Sequence, residues 1–211
     1  MIKINIEIEQ MLFFATVFAF FMILILVTWD VPYFVRTTFI VVWGRLFEKK
    51  RKPNETTTIY GVCTTSDLDI VLKHMNNARY VRELDFARFH FYDRTGIYSA
   101  ITAAKGTAFQ TACIIKYRRT IPIFTFYKIV TKMVYWDNKC IYLEQQFVSL
   151  KDNFVKAIVY SKQVAVGPNV EEIIAKLLDE DVTHKPEMSE EIKHFIACMD
   201  ASSATLRKKD D

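Results

Sequence analysis

No two of the four cysteines, Cys63, Cys113, Cys140 and Cys198, form a CxxC pair, and no short Cys/His spacing is present that would hold zinc. A metal site is therefore not expected, and neither is a cofactor. Four cysteines permit two disulfides, yet apolar neighbours such as Ala112 and Ile114 around Cys113 favour buried, reduced thiols. A dominant charge is also missing. The 28 Lys and Arg against 24 Asp and Glu leave a net +4, spread through the chain apart from one cluster, which argues against a dedicated nucleic-acid surface. Internal repeats and low-complexity segments are absent. What remains, 211 residues with 51% hydrophobic and 25% charged content, suffices for one globular domain of ordinary size plus an appendage.

Charge is absent altogether from Met11 to Trp29. At about 1.5 Å rise per residue this run nearly matches a hydrocarbon core about 30 Å thick, and helix is the only single-segment solution that satisfies its backbone there. A core helix of a soluble domain would keep a polar stripe, and this segment has none. The rival is a cleaved signal, which would make the chain secreted; against it, the run exceeds a usual signal core and no small-x-small cleavage site follows at Asp30, Val31, Pro32 and Tyr33. Basic residues set the orientation: Lys3, Glu7 and Glu9 precede the span, whereas Arg36, Arg45, Lys49, Lys50, Arg51 and Lys52 follow it. A single-pass anchor with everything from about residue 30 onward in the cytosol is expected. Tyr33 to Phe47 is expected in the membrane interface, with Trp43 and the arginines at headgroup level. The Lys49 to Lys52 run reads equally as an anionic-lipid contact or a solvated linker.

After Pro53 the pattern becomes strand-like, which divides the chain into an anchor over 1–30, a linker over 31–55, a domain over 56–180 and a C-terminal helix with a polar tail over 181–211. Thr56 to Thr64 reads as a first strand. A polar loop from Asp67 to Asp69 leads to Asn76 or Asn77, either a good N-cap for a helix running through Ala78, Tyr80, Leu84, Ala87 and Phe91 to a stop at Gly96. Its apolar spacing gives one buried stripe, leaving Arg79, Arg82, Glu83 and Arg88 for other faces. Thr107 to Tyr117, Phe126 to Trp136, Cys140 to Leu150 and Phe154 to Val166 alternate as strands, the last three joined by Asp137-Asn138-Lys139 and Lys151-Asp152-Asn153 turns. Short helices are expected over Asn169 to Leu178 and Pro186 to Met199, the tail beyond frayed. The layout is α+β: an antiparallel sheet wrapped around a long central helix, the hotdog fold, behind an N-terminal transmembrane helix.

The stretch from Asp67 to Arg88, with Asp69, His74, Asn76, Asn77, Arg79, Tyr80 and Glu83 in order, resembles the signature of the 4-hydroxybenzoyl-CoA thioesterase-like hotdog family. It is similar also to plant acyl-carrier-protein thioesterases and to a membrane-associated animal branch of the superfamily. The likeness continues through Tyr135-Trp136-Asp137 and Phe147 to Asp152, covering roughly residues 56 to 178. The resemblance implies hydrolysis of a fatty acyl-CoA, a homodimer with the ligand tunnel between protomers, and the endoplasmic reticulum as the membrane.

Thioester hydrolysis needs a carboxylate to activate water or attack, and donors for the developing oxyanion. By its place in the loop, Asp69 is the first choice for the carboxylate, with His74 orienting substrate or sharing the proton work. The amides from Asn76 through Asn77 and Ala78 to Arg79 sit at the positive end of the helix dipole, where they would be unpaired and able to polarise the carbonyl; Glu83 is the remaining substrate-binding candidate. Each has a plainer reading. Asn76 and Asn77 cap helices, His74 is equally a hydrogen-bonded loop residue, Glu83 fits a surface pair with Arg79 or Arg82, and Tyr80 fits the core. Two departures favour a non-catalytic acyl-CoA or lipid-binding module, or a membrane scaffold. Ile70, Val71, Leu72 and Lys73 stand where the plant-like pattern has an Asn, and the step from Asp69 to His74 is one residue longer.

Overall fold

In a computed structural model the described residues are 2–179 and 185–210, with side chains described for 8–179 and 185–207. The expected boundary between domain and tail, near residue 180, lies outside them. The chain divides into two compact units, one ending at Phe39 and the other beginning at Ile40. The first holds α1 (Ile2–Thr28), within which Ile8–Thr28 has a mean hydropathy of 2.7 and is long and apolar enough to cross a membrane by length and composition. Asp30 starts α2 (Val31–Phe47), its carboxylate accepting from the Tyr33 amide.

The second unit is a five-stranded antiparallel sheet in the order β1-β3-β4-β5-β2, with strands β1 (Thr57–Val62), β2 (Thr107–Tyr117), β3 (Phe126–Trp136), β4 (Cys140–Ser149) and β5 (Val155–Val166). The β3-β4-β5 meander follows from its turns. Asp137 accepts from the Lys139 and Cys140 amides at 2.8 Å each, and Asp152 accepts from the Phe154 amide while Asn153 takes the left-handed conformation at φ 53°. β2, although first after the helices, closes on the far side of β5.

α3 (Asn77–Thr95) begins at Asn76, whose side chain accepts from the Ala78 amide, and ends at Gly96, which adopts φ 77° without the Cβ penalty of other residues. It lies on one sheet face. β4 presents Ile141, Leu143, Gln145 and Phe147 toward it: Phe147 stacks edge-on with Tyr80, and Gln145 donates to the Leu84 carbonyl. Burial is not confined to one stripe. Tyr80, Glu83, Leu84, Phe86, Ala87, His90, Phe91 and Arg94 are all buried, because sheet and flanking helices surround the cylinder. Each large apolar side chain so buried contributes about 1.5–3 kcal/mol.

Several expectations are corrected. Gly96 stops α3 but also opens α4 (Ile97–Ala103), whose Ile97 and Ile101 join a core cluster with α5 (Val170–Leu178). α6 (Glu190–Asp210) starts after Ser189, whose hydroxyl accepts from the Ile192 amide, not at Pro186, and it continues helical through the tail. Phe195 of α6 meets Tyr142 on the other sheet face, so β4 is buried on both sides. Cys63 and Cys140 are buried, Cys113 is half-buried and Cys198 is exposed. Arg45 binds the Asp93 carboxylate, Nε at 2.8 Å. Glycine explains the close approach: a Cβ at Gly44 would stand 3.2 Å from the His90 ring. There Arg94 donates to the Gly44 and Glu48 carbonyls at 2.6 and 3.0 Å, and fastens the end of α2 to the end of α3.

Candidate active site

The segment feeding α3 is a miniature hairpin. Leu68 bridges Met75, the Asp69 amide donates to the His74 carbonyl at 3.0 Å, and the Leu72 amide closes the turn on the Asp69 carbonyl at 3.0 Å. Leu72 takes φ 55° to make that turn. On the outer side the Met75 amide donates to the Ile121 carbonyl at 2.8 Å, which docks the hairpin on the segment between β2 and β3.

This geometry brings Asp69 and His74 together. His74 Nε2 lies 3.5 Å from Asp69 Oδ2, with side chains 38% and 19% exposed. The longer spacing that set this chain apart is absorbed by the hairpin, which returns His74 opposite Asp69. The apolar insertion forms its tip, where Ile70 is 97% exposed.

Asp67, two residues earlier, does a different job. Its carboxylate is buried and accepts from the Thr64 amide at 2.7 Å, the Thr64 hydroxyl at 2.8 Å and the Arg79 guanidinium at 2.9 and 2.6 Å. Burial alone would raise its pKa; the Thr64 and Arg79 donors together outweigh burial and hold it below the usual carboxylate range. Asp67 thus ties the loop to the first turn of α3, and Arg79, expected on a free face, is its partner.

The helix start has fewer open donors than expected. The Ala78 amide is taken by Asn76 Oδ1 at 2.9 Å, the Arg79 amide by the Asn76 carbonyl at 2.9 Å, and the Asn76 amide by the Asp67 carbonyl at 2.8 Å. Among the described residues the Asn77 amide has no protein acceptor, and Asn77 and Ala78 are exposed. The free donor thus narrows from the expected group to Asn77. Glu83 is corrected more sharply: it is fully buried, and its Oε2 accepts from the Tyr127 phenol at 2.7 Å. Tyr127 in turn covers Gly61, where a Cβ would stand 2.7 Å from the ring. Tyr80 belongs to the core, with burial raising its phenol to about 12.

Sequence reasoning missed Tyr117, at the end of β2. Its phenol donates to the Asn77 carbonyl at 3.0 Å and its ring meets Tyr80 edge-on at 5.1 Å. Only strand pairing brings it to the helix start, so nothing local in the sequence marks it. A recess of about 460 Å³ lies further along α3, between Tyr92, Tyr98, Ile101 and Phe109.

The family model of the thioesterase-like superfamily matches residues 63–196, which includes the hairpin, α3 and all strands from β2 to β5. The chain belongs to the thioesterase-like superfamily. Within it the chain is 52% identical over 187 residues to Protein THEM6 of Drosophila melanogaster, covering 89% of this chain and 96% of that one. It is 35% identical over 178 residues to Protein THEM6 of Xenopus laevis, covering 84% and 85%. Among solved structures, the probable thioesterase YbaW from Escherichia coli superposes with a TM-score of 0.52 at 22% identity, covering 61% of this chain and 98% of that one. SAV2348 from Staphylococcus aureus, solved in complex with CoA, gives 0.51 at 12% identity, covering 67% and 92%. These likenesses carry the fold: this thioesterase-like chain has the hotdog architecture, as its residues implied.

Proposed function

We propose that this superfamily member is a membrane-anchored thioesterase that hydrolyses fatty acyl-CoA. The observation that carries the reading is the Asp69 carboxylate set 3.5 Å from His74 on the hairpin that feeds the amino end of α3. Asp69 acts as general base: it takes a proton from water, the water oxygen bonds to the thioester carbon, the C–S bond breaks, and the thiolate leaves to collect a proton. Direct attack by the same carboxylate, followed by hydrolysis of the anhydride, balances equally. The Asn77 amide and the helix dipole polarise the carbonyl oxygen, and Asn76 and Ala78 fix that end of the helix. Glu83, buried with its carboxylate on the Tyr127 phenol, is assigned to supporting the fold around the site.

The full chain in detergent micelles is expected to release free CoA thiol from a long-chain acyl-CoA, with Asp69→Asn lowering the rate by about 10²–10⁴-fold. No release, or equal release by the variant, removes the hydrolytic reading. The exposed apolar tip at Ile70, Val71 and Leu72 favours the second reading, an acyl-CoA or lipid-binding module without turnover; saturable binding without thiol release selects it. A scaffold role is selected by absence of any acyl ligand binding.

A homodimer belongs to the same proposal. Among the described residues β2 pairs only with β5 and leaves an eleven-residue edge with exposed Phe109, Ile114 and Tyr117, a surface that a second copy would cover. Sedimentation of the detergent-solubilised chain as a monomer at micromolar concentration removes it. In the same proposal the apolar helix spans a membrane with the domain in the cytosol, a reading supported by the excess of Lys and Arg after it, and the endoplasmic reticulum is the membrane that the family resemblance implies. Protection of the domain from protease added outside intact microsomes reverses that orientation, and loss of the helix from the mature chain replaces the anchor by a cleaved signal.

A further inference from the structure

Three cations converge on one aromatic ring beside the candidate site. The guanidinium carbons of Arg118 and Arg119 stand 4.7 and 3.9 Å from the Phe154 ring centre, and Lys156 Nζ stands 5.7 Å from it. The backbone enforces the gathering: the Arg118 and Arg119 amides both donate to the Lys156 carbonyl, at 2.8 and 3.1 Å, and Arg118 Nη1 donates to the Val155 carbonyl at 3.2 Å. Among the described residues none of the three is ion-paired with a carboxylate. Asp152, near enough to feel the charge of Lys156, is the acidic group at this turn. Contact with Phe154 places both guanidinium groups, and among the described residues only Arg118 Nη1 is taken, by the Val155 carbonyl, so part of the ordering cost of a fork-shaped anion site is already met. Like charges held this close repel one another until an anion is shared between them.

The cluster directly continues the helix start. Tyr117, the last residue of β2 and adjacent to Arg118, donates to the Asn77 carbonyl at 3.0 Å, so the cationic cluster follows directly in the chain on a residue that contacts the helix start. Resting on the thioesterase reading above, we propose that Arg118, Arg119 and Lys156 bind the phosphates of the CoA moiety, the pyrophosphate and ribose phosphate, through guanidinium forks steadied by Phe154. The cluster is thereby a specificity element: it selects CoA thioesters over thioesters that lack the nucleotide. An anionic lipid headgroup offers the same phosphate chemistry, and continuity with Asn77 favours CoA.

The test uses the full chain in zwitterionic micelles and the double variant Arg118→Gln with Arg119→Gln, at exposed positions where folding is retained. CoA binding by calorimetry is expected to weaken about a hundredfold, about tenfold per guanidinium, whereas turnover of the matching acyl-pantetheine stays at the wild-type rate. Restoring charge with Arg118→Lys and Arg119→Lys is expected to recover part of the CoA affinity. Unchanged CoA affinity overturns the proposal, as does an equal loss on acyl-CoA and acyl-pantetheine. Loss of short-chain phosphatidylserine binding with CoA binding intact assigns the cluster to headgroups and also overturns it. A wild-type chain that binds CoA, loses it in the double variant and hydrolyses nothing supports the phosphate site while removing the hydrolase reading. Hydrolysis with CoA affinity indifferent to the variant does the reverse.

Discussion

Asp67 and Asp69 are two residues apart and carry the same chemistry, yet they sit in different surroundings, and one pair of substitutions separates the structural part of Asp67 from the part proposed for Asp69. Asp67→Asn removes the charge from a buried carboxylate whose partner Arg79 is only 28% exposed. Breaking a buried pair costs about 3–5 kcal/mol; with Arg79 partly solvated and the Thr64 donors retaining an acceptor, about 2–3 kcal/mol is expected here. In a unit of this size that lowers Tm by about 4–12 °C. Asp69→Asn breaks a longer, partly exposed contact worth about 0–1 kcal/mol and leaves Tm nearly unchanged while turnover is lost. The pH dependence has a fixed sign. Since the Asp67 pKa is lowered on folding, its stabilisation is complete above the unfolded value of about 3.9 and is lost as pH falls through the lower folded value. The Tm gap between wild type and Asp67→Asn is therefore wide at neutral pH and closes in strong acid. Thermal unfolding followed by near-ultraviolet circular dichroism measures both. Equal Tm losses for the two variants, or none for Asp67→Asn, refute the division of labour.

Gly61→Ala drives a methyl group into the Tyr127 ring and displaces the phenol from Glu83; a loss of about 1–3 kcal/mol is expected in chemical denaturation, and Tyr127→Leu made together with it recovers less than additively lost. Asn76→Ala costs about 1 kcal/mol of stability through the lost cap, whereas Asn76→Asp keeps the cap but sets a negative charge beside the developing oxyanion, so its turnover falls without a comparable fall in Tm. His90 has its pKa lowered, first by burial, against the opposing pull of Glu48. Below about pH 6.5 the unfolded chain takes up a proton that the folded one refuses, so stability declines as pH falls toward the folded value, a decline that His90→Asn reduces in a Tm series from pH 7 to 5.

Where sequence and structure agree, the signal was local. β2 and β3 occupy the expected residues because both alternate over most of their length, with one register shift in each, between Gln110 and Ala112 and between Met133 and Tyr135, and Asp137 and Asp152 mark the turns with side-chain acceptors for nearby amides. Asn76 was legible as a cap for the same reason. The site was half legible. Asp69 and His74 were singled out from the loop pattern, but the hairpin that sets them 3.5 Å apart depends on main-chain pairing that no spacing reveals. Charge misled at Glu83 and Arg79: both carry groups that favour solvent, and each is satisfied by a partner distant in sequence, Tyr127 and Asp67. α4 went unseen because Gly96 serves as stop and start at once, and α6 outran its apolar pattern because charged residues prolong a helix without packing.

The clamp of Arg94 on the carbonyls of Gly44 and Glu48 has a mechanical corollary. It grips the carboxyl end of α3, and the nineteen residues of that helix set its amino end about 28 Å away. A load on the Gly44–Glu48 segment is thus taken up at the end of α3 opposite its Asn76 cap.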